Sequence, residues 1–151
     1  MRPAVVWKTL VTTTEMFSRR WRTPSSTTII ATNGAQLYAP TSTDFIFKCY
    51  PGIILAGTNA VTGQPSTWNL GSGTVYMYGS STTYINNAIM TNATTNSIGI
   101  DCANAAFVVT NGGAVFSGMM YVGRSMNNGS SARYNSVTIA GSNPVTGRRS
   151  L

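Results

Sequence analysis

The feature that most constrains this chain is that part of it occurs twice. Ala31-Thr-Asn-Gly-Ala-Gln-Leu-Tyr-Ala39 returns as Val109-Thr-Asn-Gly-Gly-Ala-Val-Phe-Ser117. Ile54-Leu-Ala-Gly-Thr-Asn-Ala-Val-Thr-Gly63 returns as Thr138-Ile-Ala-Gly-Ser-Asn-Pro-Val-Thr-Gly147. Asn33 to Asn111 is a step of 78 residues and Gly57 to Gly141 a step of 84, so the second copy carries six extra residues between its matched blocks, and that place is a loop. A weaker third copy is legible at Tyr78-Gly79-Ser80 and Tyr84 to Asn92, parallel to Val122 to Ser125 and Tyr134 to Gly141. The shared unit is apolar, any, apolar, a small residue or Thr, then Gly or Asn. It occurs at 29–33, 53–57, 88–92, 107–111 and 137–141.

Alternation over three positions closed by a turn former marks a short strand with one buried side. Such units cannot bury their own apolar face alone, so they stack, and the expected fold is a parallel β-solenoid over residues 27–151 with Ile29, Phe107 and Val137 in equivalent inward positions. A two-sheet sandwich with hairpin-paired copies is the competing arrangement. Asn33-Gly34 fits a turn because both residues accept positive φ at little steric cost. Further strands are expected at Phe45–Cys49 and Thr74–Tyr78, the latter with Val75 and Met77 on one side and Tyr76 and Tyr78 on the other.

Composition agrees with an all-β body. Thr, Ser, Asn and Gly make up 66 of 151 residues, only thirteen side chains are charged, and 42% are apolar. Helix surfaces want Glu, Lys and Ala, whereas Thr with β-branched and aromatic partners suits a pleated surface. A single domain is all this length requires.

The net charge of +7 suggests nucleic acid until it is mapped. Arg2, Lys8, Arg19, Arg20 and Arg22 precede the repeats, and Arg148 and Arg149 follow them. Between lie Lys48, Arg124 and Arg133 against Asp44 and Asp101, without the clustered cations that phosphates require. The expectation is that nucleic acid is not a partner.

Residues 1–26 form a non-repeat segment. Trp7, Leu10, Val11, Phe17 and Trp21 fall on one helical stripe, which reads as an end cap, as a membrane-surface or targeting helix, or as a non-native start. No stretch reaches the roughly eighteen apolar residues of a membrane span.

Chemistry is sparse. The chain has no His, and its acids are Glu15, Asp44 and Asp101. A glycosidase wants two carboxylates flanking one bond, a Ser or Cys nucleophile wants a base, and zinc wants close-spaced His or Cys. Asp44 and Asp101 would have to meet across coils. No enzyme activity, metal or cofactor is therefore expected. Trp68, Tyr76 and Tyr78 are the candidate surface aromatics, able to stack on sugars or on a partner's rings, although the generic reading of strand tyrosines fits them too. Cys49 and Cys102 read either as small buried apolar residues or as one disulfide. Asn92-Ala-Thr94 and Asn128-Gly-Ser130 match glycosylation sequons, as expected by chance in this composition.

Asn111-Gly-Gly-Ala-Val, Tyr121-Val-Gly-Arg and Asn135-Ser-Val-Thr-Ile-Ala-Gly resemble the repeats of large secreted bacterial surface proteins of the autotransporter-passenger type and related β-helix repeat proteins, over about residues 29 to 150. The resemblance implies a right-handed parallel β-helix, export to the cell surface, and a structural or adhesive role with carbohydrate or a cell-surface protein as partner. The N-terminus departs from it in lacking a long signal peptide. A virion or phage fibre segment, which would trimerise, and a carbohydrate-active enzyme on a β-helix scaffold remain alternatives. Because the first copy continues through Thr67 to Leu70 where the second stops, the chain reads as a piece of something longer. Its open C-terminal coil is expected to self-associate or to fray over residues 137–151.

Overall fold

The structure is a computed structural model and describes residues 20–22, 28–39, 44–47, 52–126 and 132–151. Among these residues there is no helix. Eleven strands run in order: β1 (Arg20–Arg22), β2 (Ile29–Thr32), β3 (Gln36–Tyr38), β4 (Asp44–Phe47), β5 (Gly52–Ala56), β6 (Ser66–Tyr78), β7 (Thr82–Asn86), β8 (Ala88–Ile100), β9 (Ala106–Thr110), β10 (Ala114–Val122) and β11 (Ser136–Ala140). The molecule is all-β.

The strands form two sheets, and every strand pairing within them is parallel. Sheet 1 has the order β1-β4-β6-β8-β10 with β3 also on β6, and sheet 2 the order β2-β5-β7-β9-β11. From β4 onward the chain alternates between the sheets, and from β6 onward each strand lies beside the one two elements earlier. Hairpin pairing of the copies is excluded for these strands.

Register follows the buried pattern. In sheet 2, Ile29, Ile53, Thr83, Phe107 and Val137 form one inward row, and Ala31, Leu55, Ile85, Val109 and Ile139 another. In sheet 1, Phe45, Val75, Asn96 and Met120 share a row, as do Phe47, Met77, Ile98 and Val122. The apolar members of these rows form the core, except Met120, Val122 and Ile139 on the outermost strands β10 and β11, which are exposed. A one-residue slip would turn each apolar set to solvent, so burial pins the register.

Ile29, Phe107 and Val137 thus stand level, as the repeat implies. The third copy does not fall where expected. The segment level with Val137 is Thr83–Asn87, whereas 88–92 opens β8 in the other sheet. Thr83 occupies an inward position that the repeat fills with an apolar residue in the other strands of its row; it is fully buried, its hydroxyl facing the Met77 sulfur at 3.4 Å.

The six extra residues resolve into two changes. Asp44 and Met119 stand level, as do Phe47 and Val122. From Asn33 to Asp44 is eleven positions but from Asn111 to Met119 eight; from Phe47 to Ile53 is six but from Val122 to Val137 fifteen. The second copy therefore has the single strand β10 level with both β3 and β4, reached in three positions fewer, and takes nine positions more to return to sheet 2. Asn135 anchors that connection, accepting from the Ala105 N–H at 2.8 Å and donating to the Cys102 carbonyl at 3.0 Å. It lies against Gly99, where a Cβ has no room.

After β5 and β11 the chain leaves the ladder in two matching arms. Thr58 and Pro65 form an antiparallel bridge, as do Ser142 and Arg149. Asn59 Oδ1 accepts from the N–H groups of Val61 and Thr62 at 2.9 and 3.0 Å, and Asn143 Oδ1 from those of Val145 and Thr146 at 2.8 and 2.9 Å. Arg148 and Arg149 belong to the second arm. Arg148 Nε donates to the Gly112 carbonyl at 2.7 Å, and its Nη2 reaches Asn87 Oδ1 at 3.2 Å. Leu151 then hydrogen-bonds through its N–H to Gly113, as Thr67 does to Ala35.

Of the N-terminal segment, Arg20–Arg22 are strand and pair with β4, so the helical stripe does not extend through Trp21. The remaining expectations for residues 1–19 lie outside the described residues.

Candidate binding surface

Trp68 is not a surface residue. Its place on β6 faces inward, level with Leu37 and Met90, and it is 1% exposed. Its indole meets the Phe45 ring edge-on at 4.8 Å and the Phe47 ring at 6.5 Å. Alternation decides this: Ser66, Trp68 and Leu70 are buried while Thr67 and Asn69 are not, and the positive φ at Gly71 and Ser72 bends the strand before Val75 resumes the inward face. The indole is attracted into the core by its area, yet its Nε1 has no partner there.

Tyr76 and Tyr78 lie on the opposite side from buried Val75 and Met77, as the two-residue period requires. Tyr76 stands level with Ile46 on β4 and Ser97 on β8, and Ser97 with Tyr121 on β10. Tyr76 and Tyr121 are thus two strands apart, roughly 10 Å at ordinary strand spacing, with a small residue between them. The Arg124 guanidinium lies over the Tyr121 ring, 4.9 Å from its centroid, and such a stacked cation holds the ring's orientation. Ser97 is fully buried and its hydroxyl has no partner.

Tyr121 and Arg124 were not singled out by sequence reasoning. The signal was present as alternation along Ala114–Val122, but the run Gly118-Met-Met-Tyr-Val122 has apolar residues at every position after Gly118, which hides which side faces out. The outward set, Phe116, Met119 and Tyr121, is exposed, and a register shift between Val115 and Ser117 separates Phe116 from the rest.

Among the described residues the carboxylates do not gather. Asp44 opens β4, level with Thr95, and Asp101 follows the end of β8 six residues further on, roughly 20 Å along the strand. Glu15 and Lys48 lie outside the described residues. Among the described residues no three His, Cys, Asp or Glu side chains are grouped to hold a metal, and no helix is long and apolar enough to cross a membrane. Cys102 sits in the turn after β8 with its Sγ 3.2 Å from the Gly79 carbonyl; Cys49 lies outside the described residues, and with it the proposed pairing. No protein-family model, curated protein or solved structure matches the chain.

Proposed function

We propose that this chain is a module of a right-handed parallel β-helix, built for structure or adhesion at an exported bacterial surface and not for catalysis. The observation that carries the reading is the alternation of strands from β4 to β11 between two parallel sheets, with each strand from β6 onward beside the one two elements earlier. The crossover rule supports a right-handed coil, since a strand returning to lie parallel in its own sheet does so right-handedly in about 98% of cases.

A stack of this kind offers long flat outer faces. Tyr121, exposed and with Arg124 over its ring, and Tyr76 in the same row support an adhesive use of one of them, because aromatic rings on an outer face suit the apolar face of a sugar ring or a partner's side chain. The separation of Asp44 from Asp101 supports a non-catalytic role, since hydrolysis of a glycosidic bond needs carboxyl groups within about 10 Å.

The test is a panel of bacterial and host polysaccharides. Binding should occur without cleavage and be lost in the Tyr76→Ala, Tyr121→Ala double variant. A depolymerising activity that disappears in the Glu15→Gln, Asp44→Asn, Asp101→Asn variant would replace this reading with the carbohydrate-active enzyme.

A further inference from the structure

The two arms serve as an internal comparison. From Gly57 to Ser66 and from Gly141 to Ser150, six of ten paired positions carry the same residue, and five of the six have a structural reason. Gly57, Gly63, Gly141 and Gly147 hold φ between 70 and 77°. Asn59 and Asn143 bind the arm's own N–H groups. The Thr62 and Thr146 hydroxyls each accept from the N–H two residues on at 3.3 Å. The Ser66 and Ser150 hydroxyls each donate to the carbonyl ten residues back at 2.8 Å.

The sixth position has none. Val61 is 94% exposed and Val145 91%, so neither side chain buries area in its own fold. Their neighbours have changed, Ala60 to Pro144 and Gln64 to Arg148, yet the branched apolar tip is the same in both arms.

We propose that the twin tips Val61 and Val145 dock on the uncharged outer face of sheet 2 in a second copy of this chain, joining copies side by side. The arms leave β5 and β11, three strands apart, so the tips stand roughly 14 Å apart at ordinary strand spacing. A matching pair of receiving positions requires a surface with the same ladder. The outer face of sheet 2 has it: Ala56 and Ala140 lie in one row on these same two strands, small enough to receive a methyl-bearing tip. Beside them runs the apolar row Ile30, Ile54, Tyr84 and Val108. None of the residues of β2, β5, β7, β9 or β11 is charged, in a chain of net charge +7.

The arms are also ready to bind. Their backbone donors are already held by Asn59 and Asn143, and valine is stiff at χ1, so docking orders little that was free. Two tips on one rigid ladder make the second contact intramolecular once the first has formed. Because tips and receiving face are different patches, the contact is heterologous. It rests on the observed ladder alone and does not require an adhesive role.

Sedimentation of the full chain over a range of concentrations tests it. The chain should sediment as an oligomer. Val61→Asp and Val145→Asp should each weaken association at least about tenfold, the double variant about a hundredfold, and Tyr84→Asp should weaken it as well. Because the tips are exposed, the circular dichroism of the valine variants should be unchanged. A monomer at every concentration overturns the proposal, as does an oligomer that the double variant leaves intact. If Ile139→Lys on the edge strand β11 is instead the change that dissolves it, copies meet through the end of the ladder and not side by side.

Discussion

Asn96 is fully buried between Val75 and Met120 in an inward row, and neither its amide nitrogen nor its oxygen has a hydrogen-bond partner. A buried amide left unpaired costs about 1–3 kcal/mol, and a β-branched apolar residue suits the site. Asn96→Val should therefore raise the free energy of unfolding by about 1–2 kcal/mol, read from urea denaturation; a loss of stability would mean that the amide is held by something it needs. Asn135 is the opposite case, since its side chain bonds to Ala105 and Cys102 and covers Gly99. Asn135→Ala should cost about 2 kcal/mol or more, and an unchanged midpoint would show that the long connection after β10 holds itself. Alternation made Val75, Met77, Tyr76 and Tyr78 legible from the sequence. It was equally present around Trp68, whose burial was missed because a large aromatic with a polar edge reads as either surface or core.

At the scale of elements, the two arms form the same bonds from two sequences. Replacing Asn59–Pro65 by Asn143–Arg149 should leave stability within about 1 kcal/mol, because the residues that close the arm are shared and those that differ are mostly exposed. A large loss would mean that Gln36, which donates to the carbonyls of Gly34 at 3.1 Å and Pro65 at 2.9 Å, sets the first arm's shape. The repeat made β2, β5, β9 and β11 visible, with Asn33 and Asn111 at positive φ after β2 and β9. It did not place β7, because Thr83 fills an inward position with a polar residue, nor the full lengths of β6 and β8. Those strands continue through left-handed residues, Gly71, Ser72 and Asn92, that a sequence reading takes as strand ends.

For the whole molecule, burial falls along the ladder. Phe107 and Val109 are covered, while Ile139, one strand further, is 54% exposed, and Val122 is 47% exposed beside fully buried Ile98. Val137→Asp should accordingly loosen β9 to β11 while leaving β5 to β8 protected, read by hydrogen exchange strand by strand. Uniform loss of protection would show that the ladder melts as one unit. The central claim is that neighbouring strands in each sheet run parallel, copy upon copy, and it can be tested by disulfide trapping with Cys49 and Cys102 replaced by Ser. Thr110 and Ala140 stand level on β9 and β11, whereas Ser136 is level with Ala106, four residues away from Thr110. A parallel ladder predicts that Thr110→Cys with Ala140→Cys forms a disulfide on mild oxidation, since bridged Cα atoms lie about 4.4–6.8 Å apart, and that Thr110→Cys with Ser136→Cys does not. Trapping of the second pair and not the first would mean antiparallel strands and would contradict the fold described here.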